Sequence, residues 1–276
     1  MVNRRCEARQ SPGFECRKVV RTMQLTILGS GTSAPHPERA APANWLQTTK
    51  GSLIMDFGAS TTYRVAHERL DWVNLDSIWI SHFHLDHVGG LAPFLFGTRY
   101  APQIQSRRKP LSIFGPKGFK DLLLKLDETA KSKLFEQPFP LVIEEVSDGE
   151  PFEPIAGISA TTFSTPHTTE SLAIRIEDGD GRTVSYTSDT GYSESLATFV
   201  SEVDLLLIEC SFFKNKQVDT HLELKEAMRL VQLARPKKAV LTHLYPEWDG
   251  IDLEAEAAKL WDGMTIEAKD GLRIDI

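Results

Sequence analysis

Three histidines and one aspartate lie within six positions of the chain: His82, His84, Asp86 and His87. His82 and His84 are two residues apart, so in an extended segment their side chains point the same way and can bind one cation. Asp86 and His87 follow after the chain turns, which lets them reach a second cation. The apolar run over residues 77–80 leads directly into this motif. The pattern predicts a buried strand that ends in a metal-binding loop.

Further polar residues follow other predicted strands: they are His167, Asp189, Glu209 with His221 twelve residues later, and His243. A side chain at a strand end is held by the sheet and is also open to a cleft. Each of these residues alone is more typical of a satisfied polar group than of a ligand. Together with the first motif they match the number of ligands that two metal sites require. Of the eight histidines, only His36 and His67 lie outside these motifs.

The segments between these residues predict strands and helices that alternate loosely in both halves of the chain. We expect strands at 24–28, 44–48, 52–57, 77–80, 111–114, 158–164, 172–177, 183–187, 203–208, 239–242 and 272–276. We expect helices at 59–70, 119–129, 192–200, 222–234 and 253–261. The helix over 59–70 has helical spacing, with Tyr63, Ala66 and Leu70 on one side. The apolar segment 91–100 fits either a buried helix or an oligomer contact.

Composition and charge exclude several classes of protein. The 276 residues are 41% hydrophobic and 25% charged, which is typical of a globular chain long enough for one large domain. No apolar run approaches the length of a membrane span. The three cysteines form no paired spacing, which favours a reducing cytoplasm over a disulfide framework.

The first 22 residues differ from the remainder in charge. They contain six basic and two acidic residues, a net charge of +4, in a chain whose total is −7. Cys6 and Cys16 also lie there, and no apolar centre marks a secretory signal. We expect residues 1–22 to be either a disordered tail or a non-native one that lies upstream of a true start at Met23, and residues 23–276 to form a single domain.

A second charged stretch lies between Arg99 and Lys133. It holds nine basic and three acidic residues. A solvated helix face explains such a stretch, and so does a patch that attracts phosphate.

The motif His82-x-His84-x-Asp86-His87 resembles the signature of the metallo-β-lactamase fold superfamily. Within that superfamily the chain most resembles the ribonuclease Z-like branch of phosphodiesterases, from about Gln24 to the C-terminus. The resemblance implies an α+β fold of the αββα type, in which two mixed β-sheets are sandwiched between helices. It also implies a binuclear metal-dependent hydrolase that acts on phosphodiesters through a metal-bridging hydroxide.

The resemblance also implies a role for each site residue. His82, His84 and His167 correspond to the ligands of one metal, Asp86, His87 and His243 to those of the other, and Asp189 to the carboxylate that bridges them. These ligands suit two Zn²⁺ ions, with Mn²⁺ or Fe²⁺ as alternatives. Asp86 would also assist the proton of the nucleophile. Glu209 and His221 match a pair that the phosphodiesterase branch uses on the transition state, the carboxylate orienting the imidazole.

Two features depart from the tRNA-processing members. Only 21 residues separate His167 from Asp189, too few for their long arm, and the residues after His221 also differ from theirs. Both argue against precursor-tRNA cleavage and leave RNA or a small nucleotide as the expected phosphodiester substrate, with a homodimer as the expected assembly. Alternatives are a thioester or lactone hydrolase of the same fold, and a non-catalytic ligand-binding member. If Glu209 were a surface charge and His221 a helix cap, the pair would be structural only.

Overall fold

The fold consists of two β-sheets that pack face to face with helices on both outer sides. The structure, a computed structural model, describes residues 23–276, so the expected tail over residues 1–22 lies outside the described part. Each sheet has seven strands in this range. The predicted αββα arrangement is confirmed.

The first sheet is built from the N-terminal half of the chain and closed by the last strand. Its strands are β1 (Gln24–Gly29), β2 (Ala43–Gln47), β3 (Ser52–Met55), β4 (Ser77–Trp79), β5 (Leu111–Pro116), β6 (Leu141–Val146) and β14 (Arg273–Asp275). The order across the sheet is β14-β1-β2-β3-β4-β5-β6. Strands β14 to β3 pair antiparallel, including the predicted hairpin of β2 and β3, whereas β3 to β6 pair parallel.

The second sheet has the same mixture of pairings. Its strands are β7 (Phe152–Ile155), β8 (Ile158–Ser164), β9 (Leu172–Glu177), β10 (Thr183–Tyr186), β11 (Leu205–Glu209), β12 (Lys238–Thr242) and β13 (Met264–Glu267). The order is β13-β12-β11-β10-β9-β8-β7. Strands β7 to β10 pair antiparallel and β10 to β13 pair parallel.

Seven α-helices occur in residues 23–276: α1 (Thr61–His67), α2 (Leu85–Val88), α3 (Leu91–Thr98), α4 (Phe119–Ala130), α5 (Glu194–Phe199), α6 (Leu224–Ala234) and α7 (Leu253–Ala258). Helices α1 to α4 pack on the first sheet and α5 to α7 on the second, while a third apolar cluster fills the space between the sheets. No helix in the described range is long and apolar enough to cross a membrane.

The polar residues of the sequence motifs collect at one edge of this sandwich. In the first sheet, the parallel strands β3 and β4 are followed by Asp56 and Ser81. In the second sheet, β10, β11 and β12 are parallel, and their carboxyl ends lead to Asp189, Glu209 and His243. Since parallel strands end at the same edge of a sheet, residues far apart in sequence come together there.

Several local features were not predicted from the sequence. The side of α1 that holds Tyr63 is exposed, and the helix buries Thr61 and Val65. Strands β6, β7 and β13 were not predicted because they lie at or near sheet edges. β6 and β13 carry mostly exposed or half-buried residues, so their apolar pattern is weak. Helix α3 buries one face but leaves Phe96 exposed.

Several members of the basic stretch over residues 99–133 are engaged in local contacts. Its most buried member, Arg107, donates four hydrogen bonds of 2.6–2.7 Å to backbone carbonyls and lies 4.8 Å from the Phe139 ring. The acceptors are the carbonyl oxygens of Val73, Leu75, Lys109 and Pro110. Arg99 and Lys133 pair with Glu136, Lys109 with Asp76 and Lys125 with Asp121. Arg107 therefore fastens the segment before β5 to the turn before β4.

Replacing this guanidinium tests its structural role. Lysine cannot reproduce the planar fork of donors, and hydrogen bonds to charged groups contribute roughly 1.5–3 kcal/mol each. We expect Arg107→Lys to lower the free energy of unfolding by about 2–4 kcal/mol in urea denaturation. The neighbouring exposed residue provides the control, because Arg108→Lys should change that free energy by less than about 0.5 kcal/mol. Equal effects of the two substitutions would contradict the assignment.

Candidate metal centre

The histidine motif forms the loop that follows β4. The backbone N–H of Ser81 donates to Asp56 Oδ1 at 2.8 Å, which fixes the start of the loop. The chain is extended at His84 and then enters α2, where the N–H of His87 donates to the carbonyl of His84 at 2.9 Å. His82 and His84 thus precede this change from extended chain to helix, and Asp86 and His87 follow it in α2. The predicted turn between the two halves of the motif is confirmed.

The first donor group consists of three imidazoles and one carboxylate oxygen. His82 Nε2 and His167 Nε2 each lie 3.0 Å from His84 Nδ1. Asp189 Oδ2 lies 3.7 Å from His82 Nε2 and 3.5 Å from His167 Nε2. Four ligand atoms from three separate segments therefore converge on one point, within 4.8 Å of one another.

The second donor group faces the other oxygen of the same aspartate. Asp189 Oδ1 lies 3.2 Å from His87 Nε2 and 3.3 Å from His243 Nε2. Asp86 Oδ2 lies 3.8 Å and 3.6 Å from the same two nitrogens. Among the described residues, Asp189 Oδ1, His87 Nε2 and His243 Nε2 are buried without a hydrogen-bond partner. Buried polar atoms are otherwise almost always paired, so three unpaired ones that converge fit a bound cation.

In four of the five histidines of the donor groups, the ring nitrogen that faces away from the centre has a polar partner. His87 Nδ1 donates to Asp56 Oδ2 at 2.7 Å, and His167 Nδ1 donates to the carbonyl of Thr220 at 2.8 Å. His82 Nδ1 and His243 Nδ1 each lie 2.9 Å from a serine hydroxyl, that of Ser81 and Ser211 respectively. Because a carboxylate and a carbonyl only accept, His87 and His167 each carry a proton on Nδ1, and their Nε2 atoms face the centre.

The pKa shifts of the side chains differ between the two donor groups. Burial lowers the pKa of His82 and His167, which keeps these rings neutral and able to bind a metal. Burial also acts to lower the pKa of His87, but the charges of Asp189 and Asp56 outweigh it and raise that pKa well above its usual value. Burial opposes ionisation of Asp189, and the neighbouring His243 and His87 nevertheless hold its pKa well below its usual value. A proton on His87 and a bound cation would therefore compete for the second donor group.

Glu209 and His221 lie beside the two donor groups. Glu209 is fully buried, and its Oε1 accepts from His221 Nδ1 at 3.0 Å. Burial acts to lower the pKa of His221, but the hydrogen bond and charge of Glu209 raise it overall. The His221 ring stacks on that of His243 with centroids 5.4 Å apart. Its ligand atoms also come within 4.8 Å of those of Asp189 and His243, so His221 is close enough to be an alternative ligand.

Two particulars of the structural interpretation of this pair, a surface Glu209 and a His221 helix cap, are not found. Glu209 is not a surface charge, and α6 is capped by a reciprocal pair of hydrogen bonds between Glu223 and Glu226 rather than by His221. Cys210 is buried, and burial followed by the charge of Glu209 raises the pKa of its thiol, as expected of an inert core residue.

Three buried residues of this centre were not identified from the sequence: Asp56, Tyr186 and Ser211. Asp56 Oδ2 accepts from the Tyr186 hydroxyl at 2.9 Å as well as from His87, and this bond joins the two sheets. The only sequence signal among the three was for Asp56, which directly follows the apolar strand Ser52–Met55. The remaining histidines lie outside the donor groups, His36 against Asp249 and His67 against Glu68.

Comparison with known proteins agrees with this geometry. The family model described as "Anti-Pycsar protein Apyc1" matches residues 23–262. The chain is 26% identical to a ribonuclease Z of Shouchella clausii (strain KSM-K16), over 80% of this chain and 86% of that protein. It is 28% identical to a protein of Bacillus subtilis (strain 168) described as "Probable metallo-hydrolase YhfI", over 90% of this chain and 98% of that one.

A solved structure supports the fold assignment. The crystal structure of the metallo-β-lactamase fold protein YhfI from Bacillus subtilis superposes with a TM-score of 0.81, at 24% identity, over 92% of this chain and 100% of that one. The resemblance to the metallo-β-lactamase fold is therefore confirmed.

Asp56 gives a test of how the second donor group is positioned. Three donors point at its carboxylate, and an asparagine offers only one acceptor oxygen to them. Loss of such an outer hydrogen bond typically costs 10–100-fold in metal affinity. We expect Asp56→Asn to weaken Zn²⁺ binding by about that factor in a chelator competition assay. The control is Asp76→Asn, at the opposite end of β4, which should leave the Zn²⁺ affinity unchanged. Equal Zn²⁺ affinities of the wild type and both variants would contradict the role of Asp56.

Proposed function

The chain belongs to the Anti-Pycsar protein Apyc1 family and is a metal-dependent hydrolase of the ribonuclease Z-like kind, and on this premise we propose that it cleaves a phosphodiester bond in RNA or a small nucleotide at a centre of two cations. One observation carries the proposal: the two oxygens of Asp189 face two separate donor groups. A carboxylate placed in this way can bridge two cations.

The proposed ligands follow from the two groups. His82, His84 and His167 would hold one cation, Asp86, His87 and His243 the other, and Asp189 both. Imidazole and carboxylate donors suit Zn²⁺, with Mn²⁺ and Fe²⁺ as alternatives. Two such ions polarise a phosphoryl oxygen, lower the pKa of a bound water and stabilise an in-line displacement.

The chain's own residues would move the protons. Asp86 Oδ2 borders the second donor group and would accept a proton from the attacking water. His221 Nε2 would donate a proton to the leaving oxygen, since Nδ1 is committed to Glu209. The buried Glu209 keeps His221 in the tautomer and orientation that this transfer needs, in the way that a carboxylate orients the histidine of other acid–base pairs.

Features away from the centre refine the proposed substrate and assembly. Between His167 and Asp189 the chain forms only the β9–β10 hairpin, which supports a substrate other than precursor tRNA. Phe96 and Tyr100 are exposed at the end of α3, with ring centroids 6.1 Å apart, and would supply the apolar contact of a homodimer. The free thiol of Cys210 is compatible with the proposed cytoplasmic location.

The reaction class is tested by comparing substrates. We expect the metal-loaded protein to hydrolyse bis(p-nitrophenyl) phosphate with a kcat/KM well above those for a thioester and a lactone of similar size, and to leave a precursor tRNA uncut. A preference for the thioester or lactone would identify the carbonyl hydrolase alternative. Absence of turnover on all substrates at full metal occupancy would favour a ligand-binding protein.

The role of His221 is tested by substitution and by pH. General acid catalysis of this kind contributes about 10² to 10⁴ in rate, so His221→Ala should lower kcat on the phosphodiester by that factor with metal content unchanged. Because the pKa of His221 is raised above 6.5, the protonated ring persists to higher pH, and kcat should fall as pH rises through that pKa. Glu209→Gln, measured at saturating metal, should move this descending limb to lower pH. Loss of metal in His221→Ala would instead make His221 a ligand.

A further inference from the structure

Ser211 lies between the acid–base pair and the second donor group. It is fully buried two residues after the end of β11. Its hydroxyl oxygen is 2.5 Å from Glu209 Oε2 and 2.9 Å from His243 Nδ1. A third and longer contact of 3.3 Å reaches His221 Nδ1. One hydroxyl therefore contacts a carboxylate and two histidines.

The single proton of this hydroxyl determines how the contacts are made. A carboxylate can only accept, so the short bond to Glu209 uses the Ser211 proton. The serine oxygen must then accept from His243, which places the His243 proton on Nδ1. In a neutral ring with its proton on Nδ1, the lone pair lies on His243 Nε2, which faces Asp189 Oδ1 at 3.3 Å. This is the only neutral form of His243 in which Nε2 can bind a metal.

We infer that Ser211 is a positioning residue that extends the reach of Glu209 to His243, so that one buried carboxylate orients both the proton donor and a ligand of the second donor group. The inference rests on the proposed use of His243 as a metal ligand. Glu209 has the capacity for this double role, because its two oxygens separate the tasks. Oε1 accepts from His221 and the Thr190 N–H, and Oε2 accepts from Ser211 and the Leu222 N–H.

Ser81 offers an internal comparison in the first donor group. It is also fully buried, and its hydroxyl lies 2.9 Å from His82 Nδ1. Within residues 23–276, however, no carboxylate accepts from the Ser81 hydroxyl, so this serine holds one ligand without linking it to other chemistry. Each serine hydroxyl thus contacts the Nδ1 of a histidine, but in a different donor group. Only the Ser211 hydroxyl also donates to a carboxylate, that of Glu209.

The test measures the affinity of each metal separately. Apo protein is titrated with Zn²⁺ against a chromophoric chelator, and two binding phases are resolved in the wild type. We expect Ser211→Ala to weaken one phase by about 10–100-fold, the usual cost of losing an outer-shell hydrogen bond, and to leave the other unchanged. Ser81→Ala should weaken the opposite phase. Ser185→Ala is the control, since this buried hydroxyl on β10 has no hydrogen-bond partner in the described residues and should change neither phase.

A double-mutant cycle tests the link through Glu209. Glu209→Gln should weaken the same phase as Ser211→Ala, and the double variant should be no weaker than Ser211→Ala alone, because the two residues act as one unit.

Three results would overturn the inference. They are an affinity of Ser211→Ala within twofold of the wild type in both phases, a loss of both phases in that variant, and additive effects in the cycle. A wild-type protein that binds fewer than two equivalents would refute the proposed two-cation centre and the inference with it. Two equivalents in the wild type with an unaffected Ser211→Ala would refute the inference alone.

Discussion

The architecture of this protein depends on a carboxylate, Asp189, that is buried where the two sheets meet. Moving an ion of this kind out of water costs several kcal/mol even after the protein relaxes, unless opposite charge surrounds it. Asp189 lies among four imidazoles from three segments of the chain, with each oxygen directed at a different group. Cations bound on both sides would supply this compensation.

This arrangement constrains the backbone at several strand ends. Asp56, Ser188 and His243 all adopt left-handed backbone conformations, with φ of 61°, 51° and 59°. For residues other than glycine this region costs roughly 1–2 kcal/mol each. The three residues follow β3, β10 and β12, where the chain must turn sharply to direct a side chain into the centre. Strain of this kind persists where the surrounding contacts over-determine the geometry, and here those contacts are the hydrogen bonds of the centre.

Two further buried carboxylates organise the surroundings of Asp189 from opposite sheets. Asp56 holds His87 and receives the Tyr186 hydroxyl, and Glu209 holds His221 and, through Ser211, His243. Each carboxylate therefore couples a reactive side chain to the rigid interior. The geometry of the centre depends as much on these residues as on those that face the cleft.

The sequence predicted the donor residues because their types are rare and they come at or soon after the ends of predicted strands. It also predicted both central strands of the second sheet, β10 and β11, since their residues are buried on both faces. It could not identify Asp56 or Ser211, whose importance comes from partners as far as 130 and 32 positions away. The weak strands β6 and β13 escaped for the opposite reason, because their side chains are too exposed to carry a periodic pattern.

Anomalous diffraction from crystals grown with Zn²⁺ tests the central claim most directly. The account predicts two peaks on either side of the Asp189 carboxylate, roughly 3.5–4 Å apart as in other two-metal centres. One peak would lie among His82, His84 and His167, and the other among Asp86, His87 and His243. A single peak, or a second peak held by His221 in place of Asp86, would contradict it.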